Sequence, residues 1–208
     1  MDTSFLFPVF QVLVLVFSVV VHEVSHGFAA EELGDDTARR AGRLTLNPIK
    51  HLDPFGSVIL PFLLSLVPGG VVFGWAKPVP FDPRRLKDPR KGSMLIALAG
   101  PLSNLALAGI FAIAVRLIVY FQVVELVPAI AFLKIIIVIN IVLAVFNLVP
   151  IPPLDGSKIL FFFLPRKTEG LQMLFERYGF IILLAFIFFG FEIIHPVMEA
   201  IYRFLVGV

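Results

Sequence analysis

Apolar residues in this chain gather into five long runs separated by short polar segments. The first runs from about Phe5 to Leu33 and carries no charge from Phe5 to Val21. The third is uncharged from Ser93 to Val115 and continues to about Phe121, and the fourth covers about Pro128 to Val149, with Lys134 near enough to one end to snorkel. The last extends from about Tyr178 to Phe204, after a short apolar piece from Ile159 to Leu164. These four are long enough for the ~20 residues that a helix needs to cross hydrocarbon. The second run, Pro54 to Ala76, is uncharged but interrupted by Pro61, Pro68, Gly69 and Gly70. The pattern predicts an all-α polytopic membrane protein with about four full transmembrane helices and a re-entrant segment over 54–76.

The polar segments add detail. Between the first two runs, side chains alternate from Arg43 to Asn47 and stop at Asn47-Pro48, which predicts a short strand. Val71 to Ala76 could supply a partner strand, so a short β-hairpin is expected near the active site. Trp75 is expected to anchor at the membrane interface. No polar segment is long enough to bury a core of its own, so residues 1–208 read as a single integral-membrane domain, with a core over about 5–165 and a C-terminal helix over about 178–205. The opening Met1-Asp2-Thr3-Ser4 lacks the basic stretch of a signal peptide, and the first run is expected to be retained.

Composition agrees: 59% of residues are hydrophobic and 15% charged, the profile of a membrane protein rather than a soluble domain. A net charge of +2 gives no reason to expect nucleic acid as a partner. Lys and Arg cluster in 34–50 (Arg39, Arg40, Arg43, Lys50) and in 77–91 (Lys77, Arg84, Arg85, Lys87, Arg90, Lys91). The positive-inside tendency therefore runs the first helix from outside to cytoplasm, and a re-entrant 54–76 keeps both clusters on that side. Cysteine is absent, which excludes disulfides and thiolate metal sites.

The chemistry sits at the end of the first run. His22-Glu23-Val24-Ser25-His26 fits the H-E-x-x-H pattern. On a helix the two histidines lie one turn apart on one face, so both imidazoles can bind one Zn²⁺ while Glu23 reaches the water that the metal activates. Three ionisable groups within five residues of an apolar span are costly in hydrocarbon without a function. A catalytic zinc takes three protein ligands, and the third candidate is Asp155 in Asn147-Leu-Val-Pro-Ile-Pro-Pro-Leu-Asp155-Gly156, where prolines stop the fourth run. Depth supports the pairing. His22 lies ~25 Å along a helix from Phe5, in the cytoplasmic third of a ~30 Å core. With 54–76 re-entrant, the fourth run returns Asp155 to the same level.

HEVSH in an apolar helix followed by N-x-x-P-x-P-x-L-D-G resembles the site-2 protease family of intramembrane zinc metalloproteases. Asn47-Pro48…His51-Leu52-Asp53-Pro54-Phe55-Gly56, and Gly74-Trp75-Ala76-Lys77-Pro78-Val79-Pro80 leading to Ala99-Gly100-Pro101-Leu102-Ser103-Asn104, match its short prokaryotic branch. The likeness covers roughly residues 10–165, and no PDZ or CBS domain lies within the sequence. It implies one Zn²⁺ held by His22, His26 and Asp155, with Glu23 as catalytic acid/base and Asn147 facing the scissile peptide. It also implies a substrate strand held against the Arg43–Asn47 region. The expected activity is endoproteolysis within or beside the transmembrane segments of membrane proteins, in a prokaryotic cell membrane with the active site toward the cytoplasm.

Two other functions fit parts of the pattern. Buried His and Asp also mark ion pathways, but a metal-ion transporter is expected to show internal repeats, and the sequence has none. A non-catalytic relative that binds membrane segments has no need of Glu23. His51 with Asp53 is read as structural, His195 as an interface residue, and the Gly100-Pro101 and Asn104 group as a means of close helix packing.

Overall fold

A computed structural model describes residues 6–59 and 76–207, and all regular elements among them are helical. Numbered among the described residues, the α-helices are α1 (Leu6–Glu32), α2 (Thr37–Arg40), α3 (Pro89–Tyr120), α4 (Ala129–Asn147), α5 (Asp155–Phe163), α6 (Glu169–Ala185) and α7 (Phe191–Val206). Four stretches are long and apolar enough to cross a membrane: Leu6–Glu32, Pro89–Tyr120, Ala129–Asn147 and Gly170–Gly190. The last begins upstream of the apolar run because α6 extends back to Glu169 through helix-forming Leu171, Gln172, Met173 and Leu174. It meets α7 through a π-helical turn at Phe186–Gly190.

Local sequence sets the helix ends on the site's side of the bundle. α1 stops at Gly34, whose φ of +104° favours glycine, with the Gly34 N–H donating to the Glu31 carbonyl. α3 starts at Asp88, whose carboxylate accepts from the N–H groups of Arg90 and Lys91, and Pro89 fills the first helical position.

Helices α1 and α4 run parallel, and α3 runs antiparallel against both. Phe132 of α4 stacks on Phe7 and meets Phe10 edge-on, while Asn140 of α4 reaches Ser18. Asn104 of α3 stands opposite His22, and Ile96 opposite His26. Small buried residues on α3, Ala97, Ala108 and Ala112, allow the close approach. Ile137, Ile141 and Val145 of α4 complete the main core with Leu183, Ile194 and Met198. Outward-facing Leu13, Phe17, Ile110 and Phe189 are exposed, and Phe189, at 87%, presents nearly its whole ring. That surface suits hydrocarbon, and the chain is an integral membrane protein.

The expected β-hairpin is not found: among the described residues there is no strand, and Arg43–Asn47 is irregular. Side chains take the bonds that a ladder would use. Thr45 Oγ1 accepts from the Asn47 N–H, Asn47 Oδ1 accepts from the Ile49 N–H, and the His51 ring bonds the Thr45 carbonyl. The intended partner, 71–76, and Trp75 with it, lies outside the described residues except for Ala76. The same is true of most of the expected re-entrant segment over 54–76, of which Pro54–Ile59 forms a π-helical turn. Its flanks meet, because the Lys77 N–H donates to the His51 carbonyl at 2.8 Å. Residue 77 is therefore back at the level of residue 51.

The segment 77–82 then crosses the site's end of the bundle as a strap. Fully buried Asp35 holds it, accepting from the Asp82 N–H at 2.6 Å and from the Thr37 N–H and hydroxyl. Beyond the buried contact, the Arg84 guanidinium keeps the Asp82 carboxyl below its usual range. Arg90 of α3 donates to the Phe161 and Leu164 carbonyls at the end of α5, and so fixes the helix that opens with Asp155.

Candidate metal centre

Ser18, His22 and His26 recur at four-residue intervals on one face of α1; the two histidines meet α3 and α5, and Ser18 meets α3 and α4. The two imidazoles meet edge to face with centroids 4.6 Å apart. Asp155 is the first residue of α5, where a carboxylate is favoured by the exposed N–H groups of the helix start. Its Oδ2 lies 3.1 Å from Nε2 of His22 and 3.1 Å from Nε2 of His26. Each of the three residues offers a ligand atom, and these atoms lie within 4.8 Å of one another. A tetrahedron with metal–ligand distances of ~2.0–2.1 Å has edges of ~3.3 Å, which the two 3.1 Å His–Asp separations match.

Hydrogen bonds make the same point. The Nδ1 atom of His26 is 2.7 Å from the carbonyl of Ile96, which can only accept, so Nδ1 carries the proton. Nδ1 of His22 is 2.7 Å from Oδ1 of Asn104 and is likewise the donor. In each neutral ring Nε2 is then left with its lone pair, and both lone pairs face a carboxylate oxygen. Three acceptors converging in a buried site call for a cation. Lys158 Nζ, 4.0 Å from Asp155 Oδ1, is the nearest fixed positive charge.

Two glycines make room for this arrangement. A Cβ at Gly100 would lie 2.5–2.6 Å from ring atoms of both His22 and His26. A Cβ at Gly156 would strike the Leu148 carbonyl where the chain turns into α5. The Gly100-Pro101 and Asn104 group thus does more than allow helix packing: it touches both imidazoles.

Glu23 is half-buried beside the metal group, and its Oε2 accepts from the Val79 N–H at 2.8 Å. Asn147 closes α4 with its amide donating to the Leu143 carbonyl of the same helix, not to the group formed by His22, His26 and Asp155. His51 is buried, binding the Thr45 carbonyl, and Asp53 accepts from the Gly56 N–H. Both side chains bond backbone groups of their own loop. His195 is exposed on α7. Sequence reasoning missed Asn140 and Ser18, which are buried behind Asn104. Ser18 carried a signal, one turn before His22 on the same face.

The family model for peptidase family M50 matches residues 10–128 and 118–190. The chain is 40% identical to "Putative zinc metalloprotease YwhC" of Bacillus subtilis over 96% of its own length and 92% of that protein. It is 33% identical to "Putative zinc metalloprotease Rip2" of Mycolicibacterium smegmatis over 79% of its length and 61% of that protein. It is 35% identical to "Putative zinc metalloprotease MJ0611" of Methanocaldococcus jannaschii, over 75% of each chain. No solved structure matches it. On the family match and the 40% identity over nearly its whole length, the chain belongs to peptidase family M50, the site-2 proteases, and is a zinc metalloprotease.

Proposed function

We propose that this membrane zinc metalloprotease hydrolyses peptide bonds within or beside the transmembrane segments of other membrane proteins, with His22, His26 and Asp155 as the metal ligands and Glu23 as the catalytic acid/base. The observation that carries the reading is the convergence of His22 Nε2, His26 Nε2 and Asp155 Oδ2, 3.1 Å apart across each His–Asp pair, on the inner face of apolar helices.

A zinc ion held by His22, His26 and Asp155 would supply an acidified water and polarisation of the substrate carbonyl. The protein does the rest. Glu23, adjacent to His22 in sequence, takes the proton from the attacking water and delivers it to the leaving amine. The Val79 N–H holds one carboxylate oxygen, which leaves the other free for the water. The scissile segment must reach Glu23 with its helix opened, because helical carbonyls are already hydrogen-bonded. Asn147 can give up the Leu143 carbonyl and donate to the developing oxyanion instead.

The site faces the cytoplasm in this reading. Arg39, Arg40, Arg43, Lys77, Arg84, Arg85, Lys87, Arg90 and Lys91 flank the site's end of the bundle, whereas the connection at 121–128 has no Lys or Arg. Relatives from bacteria and an archaeon support a prokaryotic cell membrane.

A single-span peptide incubated in detergent with the intact protein or its Glu23→Gln variant tests the reading. Cleavage by the intact chain alone, with equal zinc in both, is the expected result. Equal turnover by the two removes Glu23 from the mechanism.

A further inference from the structure

Behind His22 lies a chain of two buried amides, Asn104, which ends one of the matched motifs, and Asn140, which lies outside them. Asn104 of α3 and Asn140 of α4 are both fully buried, on two different apolar helices. Asn104 Oδ1 is 2.7 Å from His22 Nδ1, and Asn104 Nδ2 donates to the Ser18 carbonyl at 3.2 Å and to Asn140 Oδ1 at 2.8 Å. Asn140 Nδ2 in turn donates to the Ile136 carbonyl at 2.9 Å and to Ser18 Oγ at 3.0 Å.

Backbone carbonyls fix the sense of both amides. A carbonyl cannot donate, so the atom facing Ile136 must be the Asn140 nitrogen, and Asn140 then presents its oxygen to Asn104. The atom of Asn104 that meets both that oxygen and the Ser18 carbonyl must be nitrogen. Asn104 therefore presents oxygen to His22. An oxygen there requires the proton on His22 Nδ1 and leaves the Nε2 lone pair toward Asp155. With the Asn104 amide reversed, Nδ1 becomes the acceptor and Nε2 carries a hydrogen into the position of the metal.

We propose that Asn140, through Asn104, is a positioning residue that sets the tautomer of His22 and so prepares it as a metal ligand. The proposal rests on the reading of His22, His26 and Asp155 as the ligands. Asn140 makes its bonds to Asn104, Ser18 and Ile136 and has none to His22, so its effect has to pass along the amides. The polar groups are also costly in an apolar bundle unless each is paired, and here each amide nitrogen has two acceptors.

The test measures zinc affinity by chelator competition, together with melting temperature, in the purified full chain. Four proteins are compared: wild type, His22→Ala, Asn140→Leu and Asn140→Asp. Leucine fills the site but offers no acceptor, whereas aspartate keeps an acceptor facing Asn104. Asn140→Leu is expected to lose about 10- to 100-fold in zinc affinity with its melting temperature kept. Asn140→Asp is expected to restore most of that affinity. If the leucine variant does not assemble, Asn140→Ala makes the same comparison with a smaller side chain. Wild-type affinity in a folded Asn140→Leu or Asn140→Ala protein overturns the relay while leaving the ligand set intact. Equal zinc binding by wild type and His22→Ala overturns the ligand set itself.

Discussion

The backbone N–H of Val79 donates a 2.8 Å hydrogen bond to Oε2 of Glu23, joining the 77–82 strap to the first helix beside its two histidines. Pro78 and Pro80 flank Val79 and bias the strap against helix. Replacing Val79 with proline removes this N–H while keeping an extended backbone accessible. The variant should lose at least about tenfold in kcat, since a misdirected base forfeits part of the 10²–10⁴-fold that acid–base catalysis provides. Zinc per chain should not change, and Val79→Ala, which retains the N–H, should turn over like the wild type. Steady-state cleavage with metal analysis of the same samples checks both.

Gly100 is predicted to be essential for a reason opposite to its helix propensity. Alanine is favoured over glycine in a helix interior by ~1 kcal/mol. Here its Cβ would crowd both imidazoles. Gly100→Ala should therefore bind zinc at least about tenfold more weakly, which chelator competition will measure. A variant that binds zinc normally means that α3 can move away from α1 without disturbing the ligands.

Much of this site could be read from the sequence because its parts are local. HEVSH places both imidazoles and the Glu23 carboxylate within one turn and a half of helix, and the prolines before Asp155 mark where the fourth apolar run must end. Counting residues along the uncharged spans puts the histidines and Asp155 at one level, and the three side chains do meet. The Asn104–Asn140–Ser18 network could not be read in this way. The three residues lie on three different apolar helices, and their meeting depends on the relative rotation of α1, α3 and α4, which hydropathy does not fix. The hairpin expectation failed for a different reason. Alternation from Arg43 to Asn47 resembles a strand, but Thr45, Asn47 and His51 satisfy the nearby backbone with their own side chains.

Asp35 should matter for stability and, through the strap, for catalysis. Asp35→Ala leaves the Asp82 N–H and the Thr37 donors without their acceptor in a fully buried position. A loss of about 2–3 kcal/mol is expected. Unfolding in detergent should show it as a lower midpoint. Cleavage should slow as well, because the strap also carries Val79. Asp35→Asn, which keeps one acceptor oxygen, should fall between the two.

Asn147 separates catalytic from structural roles. If it donates to the oxyanion, Asn147→Ala should lower kcat by about 10²-fold or more, with zinc affinity and KM little changed. If its bond to Leu143 serves only to close α4, the same variant should lower thermal stability and leave kcat near wild type. Kinetics and melting of one variant decide between them.

X-ray absorption at the zinc edge of the purified protein tests the coordination sphere directly. The expected spectrum shows one zinc per chain, with nitrogen and oxygen neighbours at ~2.0–2.1 Å, two of them imidazoles. His22→Ala, His26→Ala and Asp155→Ala should each remove or visibly alter it. A proteolytically active preparation without zinc, or a spectrum unchanged by Asp155→Ala, would contradict the account.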